Sequence, residues 1–204
     1  MQGIVTASGR RVVFAMATEA EYGAHLRQRF APLITGVGPV EGAVALTAAL
    51  AGLKSEGHLP DYVVSLGSAG SRILEQGEVY QATHIAYRDM DASALGFEKG
   101  ATPFLNLPVR LALPHRIDGV KQATLSTGAN VVSGSAYDAI AEDMVDMETF
   151  AHLRAAMHFN VDLIGLRGIS DGAEELRQYS GWADALPALD LHLAEAVDRL
   201  VAQL

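Results

Sequence analysis

Val161-Asp162-Leu163-Ile164-Gly165-Leu166, continued at once by Arg167-Gly168-Ile169-Ser170-Asp171, is the run that decides the fold. It packs large aliphatic residues into a stretch too short for a buried helix. A run of that kind reads as a strand covered on both faces. Working outward, the same texture recurs at Val12-Val13-Phe14-Ala15-Met16 and at Tyr62-Val63-Val64-Ser65-Leu66, with further strands expected at Val79 to Tyr87, at Thr124 to Ser126 and through Met144-Val145-Asp146-Met147-Glu148. Stretches at helical spacing alternate with these strands, which is the order of an α/β fold.

The intervening elements follow from local chemistry. A helix is expected from about Glu19 to Phe30, and a short strand at Leu33-Ile34-Thr35 leads through Gly36-Val37-Gly38-Pro39 into an Ala-rich helix ending near Lys54. Pro39 suits the first turn of that helix, where its missing N–H costs nothing. Gly67-Ser68-Ala69-Gly70 reads as a tight loop after the strand at Tyr62–Leu66. Leu186, Leu189, Leu193, Val197, Leu200 and Leu204 recur at steps of three and four, so the C-terminal helix has one apolar face. Between Leu95 and Pro114 no period is clean, and a stretch that long and irregular is expected to act as a lid or contact loop.

The chain has 204 residues, half of them apolar, enough to close one core, so a single domain over 1–204 is expected. Fifteen basic residues against 24 acidic ones give a net charge of −9, which would repel a phosphate backbone or an anionic bilayer face; neither nucleic acid nor membrane is an expected partner. There is no cysteine, which excludes disulfides and thiolate metal sites and fits a cytoplasmic location. The run Met1 to Arg11 places its basic pair after a weak apolar stretch, so a secretory leader is not expected. The seven histidines show no metal-ligand spacing, and neither a metal nor a cofactor is expected. Gly36-x-Gly38-x-x-x-Gly42 imitates a dinucleotide fingerprint, but its third glycine is one residue late and no acidic ribose ligand follows at the right distance.

In a largely parallel sheet, ligands bind where the carboxyl ends of the strands gather. Four features stand at such ends: Glu19, Gly67-Ser68-Ala69-Gly70, Met147-Glu148 and Arg167-Gly168-Ile169-Ser170-Asp171. Each has an ordinary structural reading as well. An acid before a helix serves as a cap, Ser-Asp-Gly forms turns, and a carboxylate in an apolar stretch can be half of an ion pair. Ser68 lacks a nucleophile-elbow context and a paired His.

Taken together, Ala15-Met16-Ala17-Thr18-Glu19, Thr35-Gly36-Val37-Gly38-Pro39-Val40, Gly67-Ser68-Ala69-Gly70, Tyr87-Arg88-Asp89-Met90-Asp91, Asp146-Met147-Glu148 and Arg167-Gly168-Ile169-Ser170-Asp171 resemble the successive motifs of the 5′-methylthioadenosine/S-adenosylhomocysteine nucleosidases, of the nucleoside phosphorylase superfamily. That resemblance implies a three-layer αβα sandwich around a central mixed, partly barrel-like sheet, and a homodimer whose partner closes the end of the site holding the 5′ substituent. It implies a purine nucleoside and water as reactants. Asp171 would protonate the purine N7, supported by Ser170. Glu19 would orient and deprotonate the attacking water, and Glu148 would accept the ribose hydroxyls. Met16, Met147, Ser68, Ala69, Gly70, Val131, Val132 and Arg167 would complete the binding site.

The sequence departs from that family in three places. Only Ala31 to Thr35 separates the first helix from Gly36, where the family inserts a hairpin, so part of the sheet or dimer edge should differ. Ser126-Thr127-Gly128-Ala129-Asn130-Val131-Val132 puts aliphatic Val131 where the family stacks an aromatic on the base, and Arg88 replaces a common His. Trp182 lies near the expected position of an aromatic lid residue. Three alternatives stay open: a phosphorylase using Arg72, Arg88 and Arg167 to hold phosphate, a nucleosidase for another 5′-substituted nucleoside such as futalosine, and a nucleoside-binding protein without catalysis.

Overall fold

The computed structural model describes residues 3–172 and 179–204; Met1 and Gln2 of the N-terminal run lie outside the described residues. The strands are β1 (Ile4–Val5), β2 (Arg11–Met16), β3 (Leu33–Ile34), β4 (Tyr62–Gly70), β5 (Val79–Tyr87), β6 (Arg110–Ala112), β7 (Lys121–Thr127), β8 (Met144–Asp146) and β9 (Asp162–Asp171). The helices are α1 (Ala24–Arg27), α2 (Pro39–Ser55), α3 (Thr149–His158), α4 (Tyr179–Ala183) and α5 (Leu186–Gln203).

Among the described residues all nine strands join one mixed sheet, in which β9 pairs with both β4 and β5. The circuit β4–β8–β7–β5–β9 closes on itself, through parallel pairs β4–β9, β5–β7 and β7–β8 and antiparallel pairs β4–β8 and β5–β9. Closure removes the sheet edges there. Beyond the barrel the sheet continues through β2, parallel to β4 and flanked by β1 and β3, while β6 lies antiparallel on β5.

Helices cover both faces, which is why the core strands are apolar at consecutive positions. Along β2, Val13 and Ala15 pack with Leu46 and Leu50 of α2 and with Phe150 and Leu153 of α3, whereas Val12, Phe14 and Met16 pack with Leu193 and Val197 of α5. Alternate residues thus feed two different cores. The apolar face expected for the C-terminal helix is the buried one, through Leu189, Leu193, Val197 and Leu200. Each such side chain contributes about 1.5–3 kcal/mol on burial.

Three local expectations are corrected. The helix from Glu19 to Phe30 does not form: a three-residue 3-10 turn at Glu19–Glu21 precedes Gly23 and the four-residue α1. The carboxylate of Asp190, from α5, accepts the backbone N–H groups of His25 and Leu26 at 2.8 and 3.0 Å, and so caps α1 from another element. Gly67 to Gly70 is no loop but the end of β4, and Arg167 to Asp171 likewise continues β9, the two strands running parallel with a register shift at Ala69/Gly70. Where the hairpin is missing, β3 shrinks to two residues beside β2.

Candidate active site

At the carboxyl ends of β2, β4, β8 and β9 the structure opens a cavity of about 550 Å³. Ser68, Ala69, Gly70, Val131, Val132, Met147, Glu148, Ser170 and Asp171, all expected from the sequence, line it. Three expected residues do not. Met16 is fully buried in the α5-side core. Arg167, 1% exposed, lies beneath the cavity in an ion pair with Asp146, its Nε and Nη2 at 3.0 and 2.8 Å from Oδ2. Glu19 points to solvent, its side chain 64% exposed and paired with Arg27 at 2.8 Å.

The acid at this wall is Glu21, which the sequence reading misses. Thr18 caps the turn by accepting the Ala20 N–H at 3.3 Å, and in a 3-10 turn residues two apart project to different sides. Glu19 therefore faces out while Glu21, 8% exposed, faces in. Its Oε1 accepts Ser68 N–H at 2.8 Å and Ser68 Oγ–H at 2.6 Å, whereas Oε2 is buried and has no partner among the described residues. Burial raises the Glu21 pKa above the usual carboxylate value, with the Ser68 hydrogen bonds opposing. Trp182 also lines the cavity and donates its indole N–H to Ser68 Oγ at 2.8 Å, fixing the hydroxyl that holds Glu21.

In the same lining, Asp171 Oδ1 accepts Ser170 Oγ–H at 2.5 Å, and burial raises the Asp171 pKa against that hydrogen bond. Glu148 accepts the Gly38 N–H at 2.8 Å. Gly38 has φ of +98°, a backbone conformation that glycine adopts without strain. The glycines around α2 thus shape a turn and a helix contact: a Cβ on Gly42 would sit 3.1 Å from His152 Nε2 on α3. Burial first, then the charge of Asp146, pushes the Glu148 carboxyl up to about 7.

Beneath the cavity floor runs a polar network. Asp146 accepts Thr127 Oγ1–H at 2.6 Å and the Thr149 N–H at 3.0 Å, and Arg167 reaches Ser65 Oγ at 3.0 Å. Although burial works the other way, Arg167 and these hydroxyls hold Asp146 below its ordinary value. Arg88, in the cavity wall, donates to the carbonyls of Ser126, Asp146 and Asn130 at 2.6, 2.9 and 2.8 Å and so ties the ends of β7 and β8 to the loop carrying Val131. Arg72 is exposed and paired with Asp138. The irregular stretch 95–114 contributes no residue to the cavity; it holds β6 and a left-handed Gly96.

The arrangement therefore brings to one cavity two partly or fully buried acids of raised pKa, Glu21 and Asp171, with a third, Glu148, between α2 and α3. Such a site can protonate one side of a ligand while holding water on the other. The phosphorylase superfamily model matches residues 4–202. A 5′-methylthioadenosine/S-adenosylhomocysteine nucleosidase of Actinobacillus succinogenes is 31% identical, covering 70% of this chain and 67% of its own length, and one of Staphylococcus aureus is 28% identical, covering 83% and 80%. Among solved structures, the nucleosidase of Colwellia psychrerythraea in complex with adenine superimposes with a TM-score of 0.79 at 20% identity over 95% of each chain. Futalosine hydrolase of Helicobacter pylori gives 0.78 at 17% identity, covering 95% of this chain and 97% of its own. At those identities the likeness shows the fold.

Proposed function

The chain is a glycosyl hydrolase of the phosphorylase superfamily, belonging to the 5′-methylthioadenosine/S-adenosylhomocysteine nucleosidase family, and from that premise we propose that it hydrolyses the N-glycosidic bond of those two 5′-thio purine nucleosides to adenine and the thioribose. The observation that carries the reading is Glu21, a buried carboxylate with one oxygen held by Ser68 and the other unpartnered beside the cavity.

In this reading Asp171 gives its proton to the purine N7, turning a poor leaving group into a good one; a positioned acid of this kind commonly contributes about 10²–10⁴-fold. Ser170 holds the carboxyl group from Oδ1. Glu148 takes the ribose hydroxyls and favours the positive charge that grows on the sugar as the bond breaks. Glu21 orients the water, accepts its proton and directs the oxygen to the anomeric carbon from the face opposite the base. Met147 packs on the ribose and keeps the site dry. Phosphate in place of water would need free cationic donors. Arg72 and Arg167 are paired with Asp138 and Asp146, and Nη1 and Nη2 of Arg88 are held by backbone carbonyls, which leaves only its buried Nε without a partner among the described residues and favours water.

Glu21→Gln should lose at least about 100-fold in turnover while keeping nucleoside binding, and Glu19→Gln should behave as the unaltered enzyme. Rates paired with calorimetric titration of substrate would test this. A dead Glu19→Gln beside an active Glu21→Gln would reverse the assignment.

A cytoplasmic homodimer belongs to the same reading. Among the described residues no helix is long and apolar enough to cross a membrane. Val40 and Val44, one turn apart on α2, are 71% and 62% exposed, and Val37 and Val131 at the cavity mouth are 56% and 64% exposed. An apolar row beside a cavity mouth suits a second copy. Sedimentation equilibrium should give a dimer, and Val40→Glu with Val44→Glu should weaken it and raise KM; a monomeric unaltered protein with full activity would contradict this. Fractionation of expressing cells checks the location.

A further inference from the structure

Behind the cavity wall at Asp171 lies a phenol that the reaction as described leaves unused. Tyr137, in a 3-10 helix at Gly134–Ala139, is 5% exposed and packs with Val132 and Val145, both of which line the cavity. Its hydroxyl is enclosed, yet it has no hydrogen-bond partner among the described residues. A buried hydroxyl left unpaired costs free energy, so one that stays buried invites a partner at some stage of the reaction.

Gly70 shows what the hydroxyl faces. A Cβ built there would collide with the Tyr137 hydroxyl and stand 3.0 Å from Asp171 Oδ2. Both oxygens thus flank one bare Cα, and the glycine keeps the space between them open. Charged groups around the phenol are Asp171 and Arg88 in the cavity wall and Arg72, whose guanidinium lies 5.9 Å from the ring centroid and is held by Asp138. Burial, then the Asp171 charge, pushes the phenol up to about 12, so at neutral pH it keeps its proton and can donate.

We propose that Tyr137 is a positioning residue for the general acid, its O–H donating to Asp171 Oδ2 as that carboxyl group gives its proton to the purine N7. The inference rests on the role assigned to Asp171 above. In the step, the Asp171 proton moves to N7, the C1′–N9 electron pair leaves with the purine, and Asp171 becomes a carboxylate. Ser170 already holds Oδ1, at 2.5 Å. Among the described residues Oδ2 has no donor for that new charge, and Tyr137 would supply one without losing its own proton.

The test compares Tyr137→Phe with Asp171→Asn on two substrates: methylthioadenosine, and p-nitrophenyl 5-methylthioriboside, whose p-nitrophenolate leaving group departs without protonation. Tyr137→Phe removes only an unpartnered oxygen, so the fold should persist, as thermal unfolding would verify. Its kcat on methylthioadenosine should fall about 10- to 100-fold, the worth of one hydrogen bond to a charged group, with KM nearly unchanged. Turnover of the p-nitrophenyl compound should not change. Unchanged kcat on methylthioadenosine, or equal losses on both substrates, would overturn the inference. If Asp171→Asn itself stays active, the reading of Asp171 fails; an inactive Asp171→Asn beside a normal Tyr137→Phe removes only the role of Tyr137.

Discussion

In the role proposed for it Glu148 must be ionised to accept two ribose hydroxyls, yet burial and the neighbouring Asp146 charge push its carboxyl up to about 7. Above that value the group is a carboxylate and binds; below it the group carries a proton and loses acceptor capacity. KM should therefore rise as pH falls through about 7, approaching tenfold per pH unit below it, and Glu148→Gln should bind weakly with no such dependence. Measuring KM from about pH 5.5 to 8.5 for both proteins checks this, and a flat profile in the unaltered enzyme would remove Glu148 from the ribose site. At this scale the sequence is legible where a residue ends or closely follows a strand: Ser170 and Asp171 end β9, Glu148 caps α3 two residues past β8, which stops at Asp146 rather than running on to Glu148, and all three are in the cavity wall. Glu21 is not legible that way, because Tyr22, Leu26 and Phe30 recur every four residues and all become buried, which imitates a helix beginning near Glu19. The signal against that helix is Gly23, a poor helix former that approaches Asp190 too closely for any side chain, whereas Thr18, a capping residue, favours a start at Glu19. One glycine is weaker than the period it interrupts.

Strands β8 and β9 are joined by Asp146 and Arg167, whose side chains are 1% and 2% exposed. Two charges buried together depend on each other: the pair is tolerated because Thr127, Thr149 and Ser65 supply the remaining hydrogen bonds. Arg167→Met should leave Asp146 unpaired and destabilise the protein by about 3–5 kcal/mol in urea unfolding, with KM little changed in whatever fraction stays folded. Full stability with a raised KM would instead make Arg167 a ligand contact. An arginine at a strand end looks the same in a sequence whether it meets a ligand or a buried acid; only the pairing of β9 with β4 and of β8 with β7 places Asp146 beside it. The strands themselves are plain in the sequence, since each is an apolar run of the right length. Their ends are less so. Gly67 to Gly70 has turn composition, but continuous pairing with β9 keeps it extended, and glycines there admit the Glu21 carboxylate and the Tyr137 hydroxyl.

Closure of β4, β8, β7, β5 and β9 gathers strand ends that lie far apart in sequence around one cavity. Helices α2 and α3 on one face and α5 on the other leave the carboxyl ends as the open side, which is where the acids stand. The α/β class is legible from alternation alone, because strands buried on both faces cannot hide their composition. Barrel closure is not, since it depends on β9 pairing with β4 and with β5, and neither pair leaves a mark in local sequence. The same architecture serves hydrolysis or phosphorolysis, and in the proposed reading the choice falls to the Glu21 carboxylate, with Arg167 paired to Asp146 and Nη1 and Nη2 of Arg88 held by backbone carbonyls. Release of adenine from methylthioadenosine by the purified protein, followed in phosphate-free buffer and again with phosphate added, tests that most directly. Equal release in both, with free 5-methylthioribose as the sugar product, is the expected result; release only when phosphate is present, with a sugar 1-phosphate as product, would contradict it.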